Sequence, residues 1–192
     1  MTKKQQKPAE EESWGKFFRD VLVMFLIFAS IYYVIFSFFL ANEVVSGPSM
    51  QPTFEDGDRL IAVRKFTPKR NDVVIIKAPA KAHDQAGAMY IKRVIGLPGD
   101  TVQSKNDVLY INGKKVAQPY LNNKYKKADN LAGSNYTSNF KVKIKKGYYW
   151  VMGDHRDVSK DSRYFGQVKR SYLLSKVVLR YWPVTKISTN FY

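Results

Sequence analysis

Two hydrophobic patterns divide the chain. From Val21 to Leu40 run twenty residues without a charge, rich in Phe, Leu, Ile and Val and apolar on every helical face. At about 1.5 Å per residue, such a helix spans the roughly 30 Å of a bilayer's hydrocarbon core. The pattern predicts a transmembrane anchor over residues 18–41 rather than a core helix. After Val44 the pattern changes to short β-branched runs bounded by turn residues, and Arg59–Phe66, Asp72–Lys77 and Ala88–Ile95 are predicted strands. Val108–Ile111 and Lys114–Ala117 flank Asn112-Gly113, a pair that supplies the positive φ of a type I′ hairpin turn. Phe140–Ile144, Tyr148–Met152 and Val177–Trp182, the last ended by Pro183, complete the strand pattern. Arg170–Lys176 predicts a short helix, and the polar stretch 121–139 (LNNKYKKADNLAGSNYTSN) a long exposed loop. The expected fold is mainly β: one N-terminal membrane helix, then an antiparallel-β domain over 42–192.

Charge sets the expected orientation. Residues 1–17 form a polar tail, and Lys3, Lys4, Lys7, Lys16 and Arg19 precede the apolar stretch. Basic residues in a short flank stay in the cytoplasm, while acidic ones such as Glu10, Glu11 and Glu12 count little. The tail is therefore expected in the cytoplasm and residues 42–192 outside. Trp14, Phe17 and Phe18 stand where an interfacial aromatic belt would. The apolar stretch exceeds the roughly 7–15 residues of a signal-peptide core, and Ala41 has Phe39 rather than a small residue two positions earlier. An uncleaved anchor is expected.

Beyond position 41 the chain holds 27 basic and 12 acidic residues. This excess would draw it toward anionic lipid headgroups or wall polymers. Nucleic acid would fit the charge but lies in the other compartment. Without cysteine there is no disulfide, thiol nucleophile or Cys-type zinc site, and no metal or cofactor is expected.

Three segments could carry chemistry. Ser46–Phe54 (SGPSMQPTF) is a stiff, turn-rich stretch presenting Ser49 a few residues after the anchor. On a strand, Tyr90, Lys92 and Val94 share one face, and Ile91, Arg93 and Ile95 the other. A lysine desolvated among Tyr and Val loses basicity and can take a serine's proton. Gly153–Gly166 (GDHRDVSKDSRYFG) is dense in charge and hydroxyl groups, as a cross-linked site wall would be. A second base is open on residue type alone: His83 and His155 are the histidines, and His155 lies between Asp154 and Asp157.

Together SGPSMQPT, KRNDVVIIK, YIKRVIGLPGD and GDHRDVSKDSRYFG, in this order after one anchor, resemble the bacterial type I signal peptidases, most of all the small Gram-positive form. The resemblance covers nearly the whole chain. It implies a Ser/Lys endopeptidase that removes signal peptides after small residues, commonly Ala-x-Ala. Ser49 would be the nucleophile and Lys92 the general base. Ser159 would orient the lysine, Asp161 and Arg163 would pair, and Asp154 and Arg156 would belong to the same support. Met50, Pro52 and Thr53 would hold the nucleophile turn. The backbone N–H of Ser49 would serve the oxyanion, and Gly47, Pro48 and Ile91 would line the pocket for small side chains. Two positions depart from the pattern: Gly47 replaces a serine found in some members, and Asn71 a glycine. Expected partners are exported preproteins, the bilayer and the secretion translocon. The alternative is a non-catalytic, membrane-tethered basic module that binds anionic wall polymer or assists secretion assembly.

Overall fold

The computed structural model describes residues 14–80, 87–121, 124–131 and 133–191. His83 and most of the tail lie outside them. The chain divides into two units, Met1–Phe38 and Phe39–Tyr192.

In the first unit, α1 runs Trp14–Val34 and continues as a wider π turn over Ile35–Phe39. Trp14–Phe39 is the one helix among the described residues long and apolar enough to cross a membrane. None of the α1 side chains is buried against protein, so its apolar surface calls for an apolar solvent.

The second unit is antiparallel β, the fold class its alternation predicts. Its strands are β1 (Leu40–Val44), β2 (Arg59–Val63), β3 (Val73–Lys77), β4 (Met89–Gly96), β5 (Thr101–Lys105) and β6 (Val108–Ile111). They continue with β7 (Lys114–Val116), β8 (Phe140–Lys143), β9 (Tyr148–Met152), β10 (Val168–Lys169) and β11 (Leu173–Trp182). A seven-stranded sheet has the order β1-β2-β11-β3-β4-β9-β10, and a four-stranded one the order β7-β6-β5-β8. The β6–β7 turn has φ of 53° at Asn112 and 80° at Gly113, as a type I′ turn needs.

Strand β4 joins the two sheets. Val94 packs with Val74, Ile76, Val151 and Phe165, while Ile95 packs with Val102, Leu109, Ile144 and Trp150 in the core of the small sheet. A third cluster, with Met50, Phe54, Leu60, Ile75 and Val177, lies under the Ser49 turn. Gly96 stands at the crossing, where a Cβ would collide with Ile144 and Val102.

Three segments depart from the sequence reading. Residues 121–139 are not a continuous exposed loop: α2 occupies Lys124–Leu131, and Tyr136 and Thr137 are buried. Residues 170–176 hold a single 3-10 turn, Arg170–Tyr172, after which β11 begins at Leu173. Its pairing with β3, Leu173 opposite Ile76 and Lys176 opposite Val74, outweighs local helical preference. Strand β1 begins inside the apolar run, where its alternation is hidden.

Candidate active site

Lys92 is fixed by the sheet, opposite Val74 of β3, and is 2% exposed. Its Nζ donates to Ser49 Oγ at 2.9 Å and to Ile91 O at 2.9 Å. Burial lowers its pKa from 10.5 to about 8, against the upward pull of Asp161 and Asp154 and with a smaller downward push from Arg163. An ordinary lysine is almost wholly protonated at neutral pH; this one is neutral in about a tenth of molecules at pH 7.

Ser49 sits on a turn, closed by Gln51 N–H donating to Pro48 O at 3.0 Å and anchored by Met50 and Phe54 in the core beneath. Its own N–H makes no hydrogen bond among the described residues, which leaves that donor available to a ligand. The N–H of Gly47, by contrast, donates to Asp56 Oδ1 at 2.8 Å. Gly47 has φ of 83°, a left-handed backbone that suits glycine. Asn71, with φ of 69°, adopts the same region that a glycine would.

The Gly153–Gly166 loop packs directly on this turn. A Cβ at Gly153 would collide with Ser49 O and Ser159 Oγ, so only glycine permits this approach. Asp161 Oδ2 accepts from Gly153 N–H at 3.0 Å, and its carboxylate forms a two-point ion pair with Arg163 at 2.9 and 2.7 Å. Asp161 also caps the short helix α3 (Ser162–Phe165) by accepting from Arg163 N–H. Arg156 is buried; it donates to Gly153 O at 2.8 Å, Thr137 Oγ1 at 3.2 Å and Gln118 Oε1 at 2.7 Å.

One expected contact is not made. Ser159 Oγ is shielded from solvent and has no hydrogen-bond partner among the described residues, so the hydrogen bond to Lys92 implied by the resemblance is not made. Asp154 and Arg156, expected only to share the support of the site, do so through different partners: Asp154 pairs with Arg93, and Arg156 donates to Gly153 O. Both members of that pair are fully buried, the guanidinium donates at 2.8 and 2.6 Å, and Thr53 Oγ1 adds a donor at 2.6 Å. Arg93 carries no role in the sequence reading. The clue was its face: a charge shared with Ile91 and Ile95 must find a buried counter-charge.

Histidine does not take the lysine's place. The His155 ring nitrogens face Pro48 O and Asp157 Oδ1, each at 3.2 Å, while Ser49 Oγ is engaged by Lys92.

Beside Ser49 and Lys92 opens a cleft of about 250 Å³. Glu43, Val45, Ser46, Ile75, Tyr90 and Ile91 are among its lining residues. Of the three expected pocket residues, Ile91 lines this cleft and Gly47 and Pro48 do not. Residues Met89–Lys92 pair with β3 on one side, whereas β9 pairs only with Arg93, Val94 and Gly96. Among the described residues no strand pairs with the other edge of Met89–Lys92, beside the cleft. Among the described residues no cluster of His, Cys, Asp and Glu could hold a metal ion.

Comparison with known proteins gives a consistent result. The family model described as "Signal peptidase, peptidase S26" matches residues 18–182. Signal peptidase IB of Staphylococcus aureus is 38% identical over 178 residues, covering 84% of this chain and 87% of that protein. Signal peptidase I of Bacillus caldolyticus is 38% identical with 100% of both chains covered. A crystal structure of a signal peptidase I from Enterococcus faecalis V583 aligns with a TM-score of 0.51 at 35% identity, over 58% of this chain and 97% of that one.

Proposed function

We propose a mechanism from one premise: the chain belongs to the signal peptidase family, peptidase S26, and is a signal peptidase I, a serine endopeptidase that cleaves signal peptides. Ser49 is the nucleophile and Lys92 its general base. The observation that carries this reading is the 2.9 Å contact between Lys92 Nζ and Ser49 Oγ at a lysine whose pKa burial lowers to about 8.

Neutral Lys92 accepts the Ser49 proton as Oγ attacks the scissile carbonyl carbon. The oxyanion is received by the Ser49 N–H, which has no competing partner among the described residues. Protonated Lys92 then gives its proton to the leaving amine, and an acyl-enzyme remains. A water deprotonated by Lys92 attacks the ester, and Lys92 passes that proton to Ser49 Oγ as the acyl group leaves. Arg163 and Asp161 brace the loop behind the lysine, and Asp154 and Arg156 tie that loop to β4 and to residues 118 and 137.

The substrate is a preprotein with small residues at −1 and −3, laid as an extended strand along the edge of Met89–Lys92 that no described strand pairs with. Val45, Ile75 and Ile91 give shallow apolar sites matched to alanine-sized side chains. The helix Trp14–Phe39 anchors the enzyme in the cell membrane as a single pass. The basic flank of Lys3, Lys4, Lys7, Lys16 and Arg19 keeps the N-terminus cytoplasmic and the β domain on the extracytoplasmic face, where translocon-delivered preproteins emerge.

The test is cleavage of a preprotein bearing an Ala-x-Ala site, in detergent, by the full chain and by Ser49→Ala and Lys92→Ala. Cutting after the −1 alanine by the parent, with both variants folded and inactive, is the expected result. Activity surviving in folded Lys92→Ala would remove the lysine from the mechanism.

A further inference from the structure

Lys92 is held by strand pairing, but Ser49 stands on a turn that no strand pins. Their 2.9 Å contact therefore depends on what grips the turn. Met50 and Phe54 grip it from the core. On the opposite side it meets His155, which is 6% exposed.

His155 grips two successive carbonyls. Its backbone N–H donates to Ser49 O at 3.1 Å, and its Nδ1 lies 3.2 Å from Pro48 O. A carbonyl only accepts, so this contact is a hydrogen bond in the tautomer that carries its hydrogen on Nδ1. Nε2 lies 3.2 Å from Asp157 Oδ1. The Tyr125 ring of α2 covers the imidazole at a centroid separation of 3.9 Å, and the Tyr125 hydroxyl donates to Gln51 Oε1 at 2.9 Å. Tyr136 flanks the same imidazole at 6.4 Å, its hydroxyl donating to Asp154 O at 3.0 Å. Pro48, Ser49 and Gln51 are thus each held, from one histidine and one tyrosine.

We propose that His155 is a positioning residue for Ser49, and that Tyr125 of α2 locks it in place. The clamp makes α2, a helix in the segment between β7 and β8, part of what aims the serine at Lys92. It rests on the reading of Ser49 as nucleophile. A displacement of about 1 Å at a reacting atom can cost about 100-fold in rate, so the clamp acts on turnover rather than on substrate binding.

The experiment uses the full chain in detergent, the Ala-x-Ala preprotein, and thermal unfolding as the folding control. His155→Ala is expected to lower kcat by about 10- to 100-fold with KM within about twofold. His155→Asn places an amide N–H where Nδ1 stood and is expected to recover most of that loss. Tyr125→Phe keeps the ring and removes the bond to Gln51; a fall in kcat of about threefold is expected. Parental kcat in folded His155→Ala would overturn the proposal. So would equal losses in His155→Asn and His155→Ala, since ring packing alone would then account for both. If His155→Ala does not fold, His155→Asn and Tyr125→Phe decide: parental kcat in Tyr125→Phe overturns the lock, and a loss in His155→Asn as large as for a disordered turn overturns the Nδ1 bond. Folded Ser49→Ala that still cleaves would instead overturn the nucleophile assignment, an outcome the His155 variants cannot mimic.

Discussion

Neighbouring residues on β4 meet burial in opposite ways. Lys92 and Arg93 are 2% and 0% exposed, one on each face of the strand. Arg93 has a carboxylate held at two points, so its charge is matched where it lies. Lys92 has hydrogen bonds to a hydroxyl and a carbonyl but no carboxylate in contact, and burial drives its pKa down. A buried cation with a carboxylate partner braces the fold; one without is held where it gives up its proton more readily. Asp154 and Asp161 set how far that goes: near enough to raise the lysine's proton affinity, they remain bonded to Arg93 and Arg163 instead.

The widest split between the two faces comes from Lys92→Met. It is expected to remove about 10²- to 10⁴-fold of the cleavage rate, the usual reach of a general base. Stability moves the other way. The lowered pKa means that the charged lysine destabilises the fold fully below about pH 8, and the penalty fades as pH rises toward 10.5. The variant should gain up to about 3 kcal/mol in urea unfolding at pH 7, less the lost hydrogen bonds, and nothing above pH 10.5. A destabilised variant at pH 7 would contradict the assigned cost of that charge.

Arg93→Met should do the reverse on stability. It strands the Asp154 carboxylate in the interior, and a loss of about 3–5 kcal/mol by urea unfolding is expected. The parental pH profile tests the same base more gently: the rate should rise with pH and reach half its plateau near pH 8, where Lys92 is half neutral. A rate flat from pH 6 to 9 would break the link between burial and reactivity. The smallest effect belongs to the exposed pair Lys186–Glu55, 3.2 Å apart with side chains 44% and 52% exposed. Glu55→Gln should shift stability by less than about 0.5 kcal/mol and leave cleavage unchanged.

Most of the β domain was legible because its strands combine β-branched runs with clear turns: β2, β3, β4, β8, β9 and the Asn112-Gly113 hairpin all lie where the pattern puts them. Strand β5 was not, because Ser104 occupies an inward position where an apolar residue would have completed the alternation. Helix α2, KYKKADNL, has too little apolar surface to stand out from a loop. In the site, Ser49 and Lys92 were singled out by residue type and resemblance. Their distance was not legible, since it depends on a turn and a strand 43 residues apart in sequence. The Arg93–Asp154 pair spans 61 residues, and spacing alone gives no sign of it. Gly153 reads as an ordinary turn glycine until Ser49 O is seen against it.

If preproteins dock as proposed along the edge of Met89–Lys92 that no described strand pairs with, that edge bears on how wide a clientele the enzyme serves. An open strand edge offers N–H and C=O groups to the peptide backbone, which every extended segment presents alike. On that proposal recognition is blind to sequence, and choice among clients comes from the dimensions of the cleft beside it. A gauge that measures bulk and ignores identity suits one enzyme confronted with many unrelated secreted chains. It also marks the chemistry of a competitor: an extended backbone that hydrogen-bonds along the edge, with small side chains and an electrophile in register with Ser49.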